Sequence, residues 1–317
     1  MRTPVQSPIV YIFFNRPELI RRTFSAIRAE QPRQLYLVAD GPRATKPDDP
    51  KRCAEARAVV ESLIDWPCEV TKDYSEVNLG SGKRIASGLE RALEKLGEAI
   101  VIEDDILPRP DFFRFCSDML ERYRDVPEVH GISGYNPIGQ YLPGEYGAVP
   151  ALTHITWGWA TWNRAWKAYR FNLEGWDAPS TKDGIRDYVR DPLYFHELTR
   201  AFRVVQERKV DAWDYQWVYT MLYERRHAVV SSVNLVENLG FMADATHTFE
   251  QPAFVHGLRT YAYDNSRLPD ISAAPDRLFD RVHWQVYLDG SRLKIALLRQ
   301  LAKRSRSLTA KLLGFHP

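Results

Sequence analysis

The sequence predicts an α/β fold with a doubly wound, mostly parallel sheet and a more irregular second half. Short apolar runs of strand composition alternate, over about the first hundred residues, with segments in which apolar residues recur every three or four positions, as in parallel strands joined by helices. Polar clusters stand where three of these runs end, at Asn15-Arg16, Asp40-Gly41 and Glu103-Asp104-Asp105. Ligands of doubly wound sheets bind at the carboxyl ends of strands, so the clusters mark one candidate site.

The elements of the first half follow in order from this pattern. Residues 9–14 are apolar throughout and form the first predicted strand, and Pro17 suits the start of the helix that follows. Residues 35–39 form the second strand, which Asp40-Gly41-Pro42 ends. The same spacing then predicts a helix over about 51–63, a strand over 68–71, a helix after the glycine-rich turn 78–82, and a strand over 99–102.

The second half carries eight of the nine tryptophans and no internal repeat, low-complexity stretch or Gly/Ser linker. One elaborated domain is therefore expected over residues 1–290. Helical spacing over residues 198–205 and again over 214–223 predicts two helices there.

Charge is divided unevenly along the chain. The 43 basic and 41 acidic residues give a net charge of +2, but residues 290–317 hold seven basic residues and no acid, which leaves −5 on the rest. Such a body gives no reason to expect a nucleic-acid partner. Leu293, Leu297 and Leu301 stand four apart in the tail, so residues 291–317 are predicted to form a basic amphipathic helix. It either binds an anionic membrane surface, or is solvated or packed on its own domain.

Composition limits the class of protein further. With 317 residues and 44% hydrophobic content, the chain can bury a large core, which excludes disordered and collagen-like proteins. The three cysteines, Cys53, Cys68 and Cys116, are odd in number and show no C-x-x-C spacing, so neither a disulfide framework nor a zinc site is expected. No run approaches eighteen apolar residues, and we therefore expect a cytoplasmic protein without a transmembrane helix.

The acidic triplet is the strongest local signal for chemistry. Glu103, Asp104 and Asp105 directly follow an apolar strand, where their mutual repulsion would be costly without a cation. Carboxylate oxygens suit Mg²⁺ or Mn²⁺, which could in turn hold a diphosphate. The alternative is a solvated acidic loop, and the position after a buried strand favours the metal site.

Three further residues are candidates, each with a structural alternative. Asp40 could hydrogen-bond a ribose or a base, or could simply form an Asp-Gly turn. Asp214 lies between Trp213 and Trp217, where apolar walls would raise its pKa toward that of a general base, although a helix N-cap among core tryptophans is the common alternative. His247 could bind a metal or phosphate, or could be a surface histidine.

Several familiar motifs are missing. The Asn78-Leu79-Gly80-Ser81-Gly82-Lys83 segment lacks the spacing of a phosphate-binding P-loop, and no G-x-G-x-x-G follows the first strand. No G-x-S-x-G elbow is present either. Nucleotide hydrolases of the P-loop type, NAD-dependent enzymes and serine hydrolases therefore have no local support.

Taken in order, these features resemble the metal-dependent glycosyltransferases of the GT-A fold, and most closely the N-acetylglucosaminyltransferase I-like group and its bacterial relatives. The resemblance covers about residues 9–248 and rests on several ordered motifs. They are the first strand with Asn15-Arg16-Pro17, Asp40-Gly41, Glu103-Asp104-Asp105 with Asp111-Phe112-Phe113, the segments 132–136 and 156–162, Trp213-Asp214-Tyr215-Gln216-Trp217, and the loop from Asn238 to Thr248.

The resemblance implies a role for each candidate residue. Asp105 would be the main protein ligand of Mn²⁺ or Mg²⁺, with His247 as a second, and Asp214 would be the catalytic base of an inverting reaction. The donor nucleotide would be bound by Asn15, Arg16, Asp40, Arg84 and Asp104, and the sugar or the acceptor by Asn136, Trp157, Trp159 and Trp213.

The expected function is transfer of a sugar from a UDP-sugar to a hydroxyl of a glycan or lipid-linked saccharide, in bacterial surface polysaccharide synthesis. N-Acetylglucosamine is the first expectation for the sugar, and the inner face of the cytoplasmic membrane is an alternative location. One alternative function is a sugar-nucleotide nucleotidyltransferase, although residues 14–17 lack the glycine-rich loop of that class. The other is a non-catalytic carbohydrate-binding module, against which the acids at Asp104, Asp105 and Asp214 argue.

Overall fold

Ten strands and eleven α-helices alternate along the part of the chain that the computed structural model describes, residues 6–241, 252–264, 268, 274–304 and 306–313. The strands are β1 (Ile9–Phe13), β2 (Gln34–Ala39), β3 (Glu69–Tyr74), β4 (Glu98–Glu103), β5 (Ile106–Pro108), β6 (Val129–Ser133), β7 (Ala148–Ala151), β8 (Trp159–Trp162), β9 (His227–Ser231) and β10 (Val236–Asn238). The helices are α1 (Pro17–Glu30), α2 (Asp49–Leu63), α3 (Ser81–Leu96), α4 (Pro110–Arg122), α5 (Asn163–Trp166), α6 (Pro179–Val189), α7 (Pro192–Gln206), α8 (Asp214–Tyr223), α9 (Arg277–Leu288), α10 (Arg292–Ala302) and α11 (Arg306–Leu312).

One sheet of eight strands, in the order β3-β2-β1-β4-β8-β6-β9-β7, organises these elements. The strands β3, β2, β1 and β4 are parallel, with Ile9 opposite both Leu35 and Ile100, so their carboxyl ends meet at one edge. Beyond β4 the pairings are antiparallel except for β6 with β9. A small antiparallel sheet of β5 and β10 lies beyond the end of β4 and brings Asn238 opposite Ile106.

Helices cover both faces of the parallel half, because successive side chains of β1 point to opposite faces. Tyr11 and its neighbours face α1, α2 and α4, whereas Val10 and Ile12 face α3 and a cluster of tryptophans. The helix α3 packs so closely on β2 that a Cβ atom at Gly88 would collide with Val38. Proline occupies the first turn of α1, α2, α4, α6 and α7, where its missing N–H costs no hydrogen bond.

The α/β fold with a doubly wound, mostly parallel, Rossmann-like sheet predicted from the sequence is confirmed. The predicted strands of the first half all occur, but the third extends over Glu69–Tyr74 because it pairs with the whole of β2. Both predicted helices of the second half occur, as α7 and α8. After residue 103 the structure adds six strands that the apolar spacing did not predict, β5 to β10.

The tail forms two helices rather than one, and its packed face differs from the predicted stripe. Ile295, Leu298 and Ala302 of α10 are buried in a second core that also contains side chains of α7 and α9. Leu293 and Leu297, which the spacing placed on the apolar face, are instead exposed. Among the described residues, no helix has the length and apolar character needed to cross a membrane.

Candidate active site

The ends of β1 and β4 are tied together by an ion pair at the carboxyl edge of the sheet. The Arg16 guanidinium, just before α1, pairs with the buried Asp104 carboxylate and lies 3.2 Å from Asp105 Oδ2. The backbone N–H of Phe14 donates to Asp104 Oδ2 at 3.1 Å. The polar clusters after the two strands therefore meet, as their positions after neighbouring parallel strands predicted.

Negative charge nevertheless exceeds positive charge at this edge. Burial raises the pKa of Glu103, and the nearby charges of Asp105, Asp104 and Asp214 raise it further. Burial also raises the pKa of Asp105, which Arg16 partly offsets. We call these four carboxyl groups the acid edge, and among the described residues one guanidinium, that of Arg16, is paired with them. Asp105 keeps 21% of its side chain accessible, so a cation could reach it from solvent.

Asp214 belongs to the same cluster although it lies 111 residues after Glu103 in the chain. It is the first residue of α8, half-buried, and its Oδ1 accepts a hydrogen bond from the Tyr215 N–H at 3.0 Å. Burial raises its pKa, and the Tyr215 N–H opposes this shift. The raised pKa makes Asp214 a stronger proton acceptor than an exposed aspartate. Its position at a helix N-terminus opposes the shift and helps the group to ionise.

Another aspartate fixes the segment that carries Asp214. Asp211 Oδ1 accepts from the Gly82 N–H at 3.0 Å and so caps the N-terminus of α3. A Cβ atom at Gly82 would lie 2.7 Å from both this oxygen and the Ala212 carbonyl, so only glycine allows this approach. The chain before α8 is thereby held against the parallel half of the sheet.

Gly240 leaves space beside Asp105. A Cβ atom at this position would lie 2.7 Å from Asp105 Oδ2 and 3.0 Å from Asn238 Oδ1. The Leu239 N–H donates to the Asp105 carbonyl at 2.7 Å and holds the two segments together. A side chain at position 240 is therefore excluded, and the Asn238 oxygen accepts a hydrogen bond from the Gly240 N–H at 2.8 Å, which leaves it one further lone pair. Carboxylate and amide oxygens fit Mn²⁺ or Mg²⁺.

The described residues do not form a complete set of metal ligands by themselves. Within residues 6–241 and the later described segments, no three His, Cys, Asp or Glu side chains are arranged to hold one ion. His247, the second ligand implied by the family resemblance, lies outside the described residues.

The other residues expected at the donor nucleotide bind protein groups. Asp40 accepts from the Leu79 and Gly80 N–H groups at 3.0 Å each and holds the loop before α3. Arg84 is buried, pairs with Asp73 at 2.9 Å and donates to the Ala39 carbonyl. Asn15 donates to Asp49 Oδ1 at 2.9 Å. These contacts shape the edge, and the nucleotide contacts expected of the three residues stay predictions.

Among the residues expected at the sugar, Trp157 alone keeps an accessible surface. It is half-buried and contacts Tyr135, Phe241 and Phe254, with ring centroids 4.7 to 6.0 Å apart. It can therefore form one wall of a cleft.

Trp159, Trp213 and Asn136 are buried, so the expectation that they contact the sugar or the acceptor is corrected. The rings of Trp159 and Trp213 stack on each other at 5.4 Å within a core that also holds Trp217. The Asn136 amide donates to the Ser231 and Ser232 carbonyls and accepts from the Ile138 N–H. Their burial leaves no face for a sugar, and they support the site by packing.

Two residues that sequence reasoning missed lie at the site. Asn238 places an oxygen beside Asp105. Burial raises the pKa of Tyr287 in α9, and the nearby charges of Tyr215 and Asp214 raise it further, so Tyr287 lies near Asp214. Asn238 stood in a segment assigned to the late loop, but no spacing marked its side chain. Tyr287 follows Asp214 by 73 residues, and no local pattern connects the two.

Comparison with known proteins gives a structural likeness and no family. No protein-family model matches the sequence, and no curated protein matches it. Among solved structures, UDP-glucose pyrophosphorylase complexed with UDP-glucose shows a TM-score of 0.36 and 11% sequence identity, and the match covers 74% of this chain and 94% of that chain. A likeness this distant does not identify what the chain binds.

Proposed function

We propose that the protein is a glycosyltransferase that moves a sugar from a UDP-sugar to an acceptor hydroxyl, with Asp214 as the general base. The observation that carries the proposal is the proximity of Asp214, whose pKa burial raises, to Glu103, the last residue of β4, which Asp104 and Asp105 directly follow. A base beside a diphosphate-binding edge is what direct displacement of a nucleotide from a sugar requires.

The acid edge would bind the leaving group. The oxygens of Asp105 and Asn238 would hold Mn²⁺ or Mg²⁺, and the chemistry that such an ion supplies when bound is stabilisation of negative charge on a leaving diphosphate. Arg16 adds a fixed positive charge at the same edge, oriented by Asp104. The donor nucleotide would lie over the loop that Asp40 holds.

Asp214 would complete the reaction. Its carboxylate takes the proton of the acceptor hydroxyl while the hydroxyl oxygen attacks the anomeric carbon from the face opposite the diphosphate. The new C–O bond forms as the bond to the diphosphate breaks, and its electron pair leaves with UDP. The sugar product therefore has inverted anomeric configuration. Because the base must be ionised, activity should fall as pH drops through the raised pKa of Asp214.

The acceptor side would lie at Trp157 and Phe254, since these rings keep accessible surface near the acid edge. Aromatic faces are a common surface for sugars. We propose a glycan or lipid-linked saccharide as acceptor, as in bacterial surface polysaccharide synthesis, with the enzyme in the cytoplasm. N-Acetylglucosamine is the first donor sugar to test.

A nucleotidyltransferase would need the same edge but a longer loop after β1 for a nucleoside triphosphate. Three residues, 14–16, separate β1 from α1, and Arg16 is already paired with Asp104. This short connection favours sugar transfer over nucleotide transfer.

The proposal is tested by incubating the purified protein with a panel of UDP-sugars and glycoside acceptors, with and without Mn²⁺, and measuring UDP and pyrophosphate. We expect UDP release that depends on both Mn²⁺ and an acceptor. Pyrophosphate release from UTP and a sugar phosphate would identify a nucleotidyltransferase. Saccharide binding without turnover would identify a carbohydrate-binding module.

A further inference from the structure

The helix α10 has two apolar faces, of which one is packed. Ile295, Leu298 and Ala302 bury the inner face, whereas Leu293 and Leu297, one turn apart, are 83% and 53% exposed. Of the ten large hydrophobic side chains exposed in the described part of the chain, five lie between residues 288 and 312. One buried face is enough to hold a helix on its domain, so the outer face indicates a binding surface.

A cleft of about 320 Å³ lies between α10 and the segment 253–261. We call it the basic cleft, because its fourteen lining residues include no aspartate or glutamate but four arginine or lysine side chains, Arg259, Arg292, Arg299 and Lys303, together with His256. Arg292 and Arg299 lie on one face of α10, and Lys303 continues their spacing directly after the helix. Leu293 follows Arg292 about 100° around the helix. The cleft and the exposed leucines are therefore adjacent.

Part of this positive charge has no acidic partner among the described residues. Lys294 pairs with Asp289 at 2.6 Å and Arg306 with Asp276 at 3.1 Å, outside the cleft. Inside it, Arg292 contacts the His256 ring nitrogen at 2.9 Å, and Lys303 lies 5.8 Å from the centre of the Tyr261 ring. Histidine and tyrosine do not neutralise a cation, so the cleft attracts anions.

We propose that this surface docks on anionic phospholipid, with headgroup phosphates in the basic cleft and with Leu293 and Leu297 entering the acyl boundary. Basic side chains beside exposed leucines match the phosphate and hydrocarbon layers of such a surface. A second copy of the chain fits less well, because the two basic clefts would then repel each other.

Arg299 connects the docking surface to the acceptor side of the proposed active site. Its guanidinium donates to the Pro137 carbonyl at 3.0 Å, to the His256 carbonyl at 2.8 Å and to the Phe254 carbonyl. Phe254 in turn packs on Trp157. If the proposed function holds, a lipid-borne acceptor would meet the enzyme on the side where Trp157 lies. Lipid docking itself does not depend on that function.

The test is co-sedimentation of the full chain with vesicles of phosphatidylcholine alone or with added phosphatidylglycerol. We expect binding to the anionic vesicles that salt weakens. R292E/K303E should weaken it at least about 25-fold, since each basic residue near such a surface contributes about fivefold. L293S/L297S should also weaken it. Matched controls are Lys167→Glu and Leu193→Ser, which change exposed residues outside the tail.

Two results would overturn the proposal. One is absence of binding to anionic vesicles by the folded wild-type chain, and the other is binding that both double variants leave unchanged. A dimer that depends on Leu293 and Leu297, without lipid binding, would assign the surface to a second copy instead. Circular dichroism checks that each variant folds. UDP release from soluble substrates without vesicles should be unchanged in these variants, so failure of docking and failure of the proposed function are distinguishable.

Discussion

The acid edge and the basic cleft are opposite solutions to concentrated charge. The acid edge gathers carboxyl groups from β4 and α8 at a protein-enclosed site, where burial raises the pKa values of Glu103, Asp105 and Asp214. The basic cleft gathers cations largely from the solvent-facing side of α10, where water screens them. A buried carboxylate must either bind a cation or take up a proton, and both processes are useful in catalysis. Exposed charges are screened by water and salt, so they support weak, salt-dependent binding.

The largest effect should come from removing the base within the acid edge. Asp214→Asn keeps the shape of the side chain but cannot accept the proton, so we expect transfer to fall about 10²–10⁴-fold. Donor affinity, measured by calorimetry with a UDP-sugar and Mn²⁺, should stay nearly constant. Asp187→Asn, a change at an exposed residue of α6, is the matched control. If both variants lost the same transfer activity, or if Asp214→Asn lost none, Asp214 would not be the catalytic base.

The two faces of α10 should differ sharply in what they contribute to stability. Leu298 is 4% exposed and packs in the second core, so Leu298→Ala should lower the free energy of unfolding by about 3 kcal/mol. Leu297→Ala, on the outer face, should change it by less than about 0.5 kcal/mol. Urea unfolding of both variants measures the contrast. Similar losses would mean that the outer face is packed as well, and the docking surface would disappear.

His154 is a buried titratable group outside the acid edge, and burial favours its neutral form as it does for the carboxyl groups there. Burial lowers the pKa of His154 to about 4, so the folded chain keeps this ring neutral while the unfolded chain titrates near 6.5. The contribution of the neutral His154 ring to the free energy of unfolding is complete above about pH 6.5. It is lost as the pH falls toward 4, by up to about 3 kcal/mol. Unfolding free energies between pH 7 and pH 4 measure this slope.

His154→Gln is the control for that slope. Its amide oxygen can still accept the hydrogen bond that the Trp217 indole N–H donates to His154, but it does not titrate. The variant should therefore show a shallower dependence of stability on pH. An unchanged slope would show that other groups produce it.

The smallest expected effect concerns Arg16, the guanidinium paired with the acid edge, and the binding of Mn²⁺ there. Arg16→Gln removes the paired guanidinium and should lower the free energy of unfolding by about 2 kcal/mol, because Asp104 is left buried without its partner. Mn²⁺ should then raise the melting temperature more in this variant than in the wild type. Asp105→Asn should reduce the Mn²⁺ effect. A melting temperature that ignores Mn²⁺ in all three proteins would remove the metal from the proposal.

The parallel half could be predicted because its signals are local. Each strand is a short apolar run, and each candidate such as Asp40 or Asp105 directly follows one, so chain order alone placed these residues at one edge. The arrival of Asp214 at the acid edge rests on the Asp211 cap of α3, a contact 129 residues apart, and no spacing predicts it.

The second half was harder for a related reason. Leu293 and Leu297 satisfy a helical period as well as Ile295 and Leu298 do, and only the neighbouring helices decide which pair is buried. Trp159 and Trp213 likewise looked like sugar-stacking residues until their packing against each other was visible. Hydrophobic periodicity and residue type predict that a helix or strand exists. Which of its faces is buried, and against which neighbour, depends on tertiary packing.

The most direct test of the central claim is the anomeric configuration of the product. Early ¹H NMR spectra should be recorded with the UDP-sugar and glycoside acceptor that give the fastest UDP release. Direct displacement assisted by Asp214 predicts a product of inverted configuration, formed in step with UDP and lost in Asp214→Asn. Retained configuration, or inverted product formed at the wild-type rate by Asp214→Asn, would contradict the account.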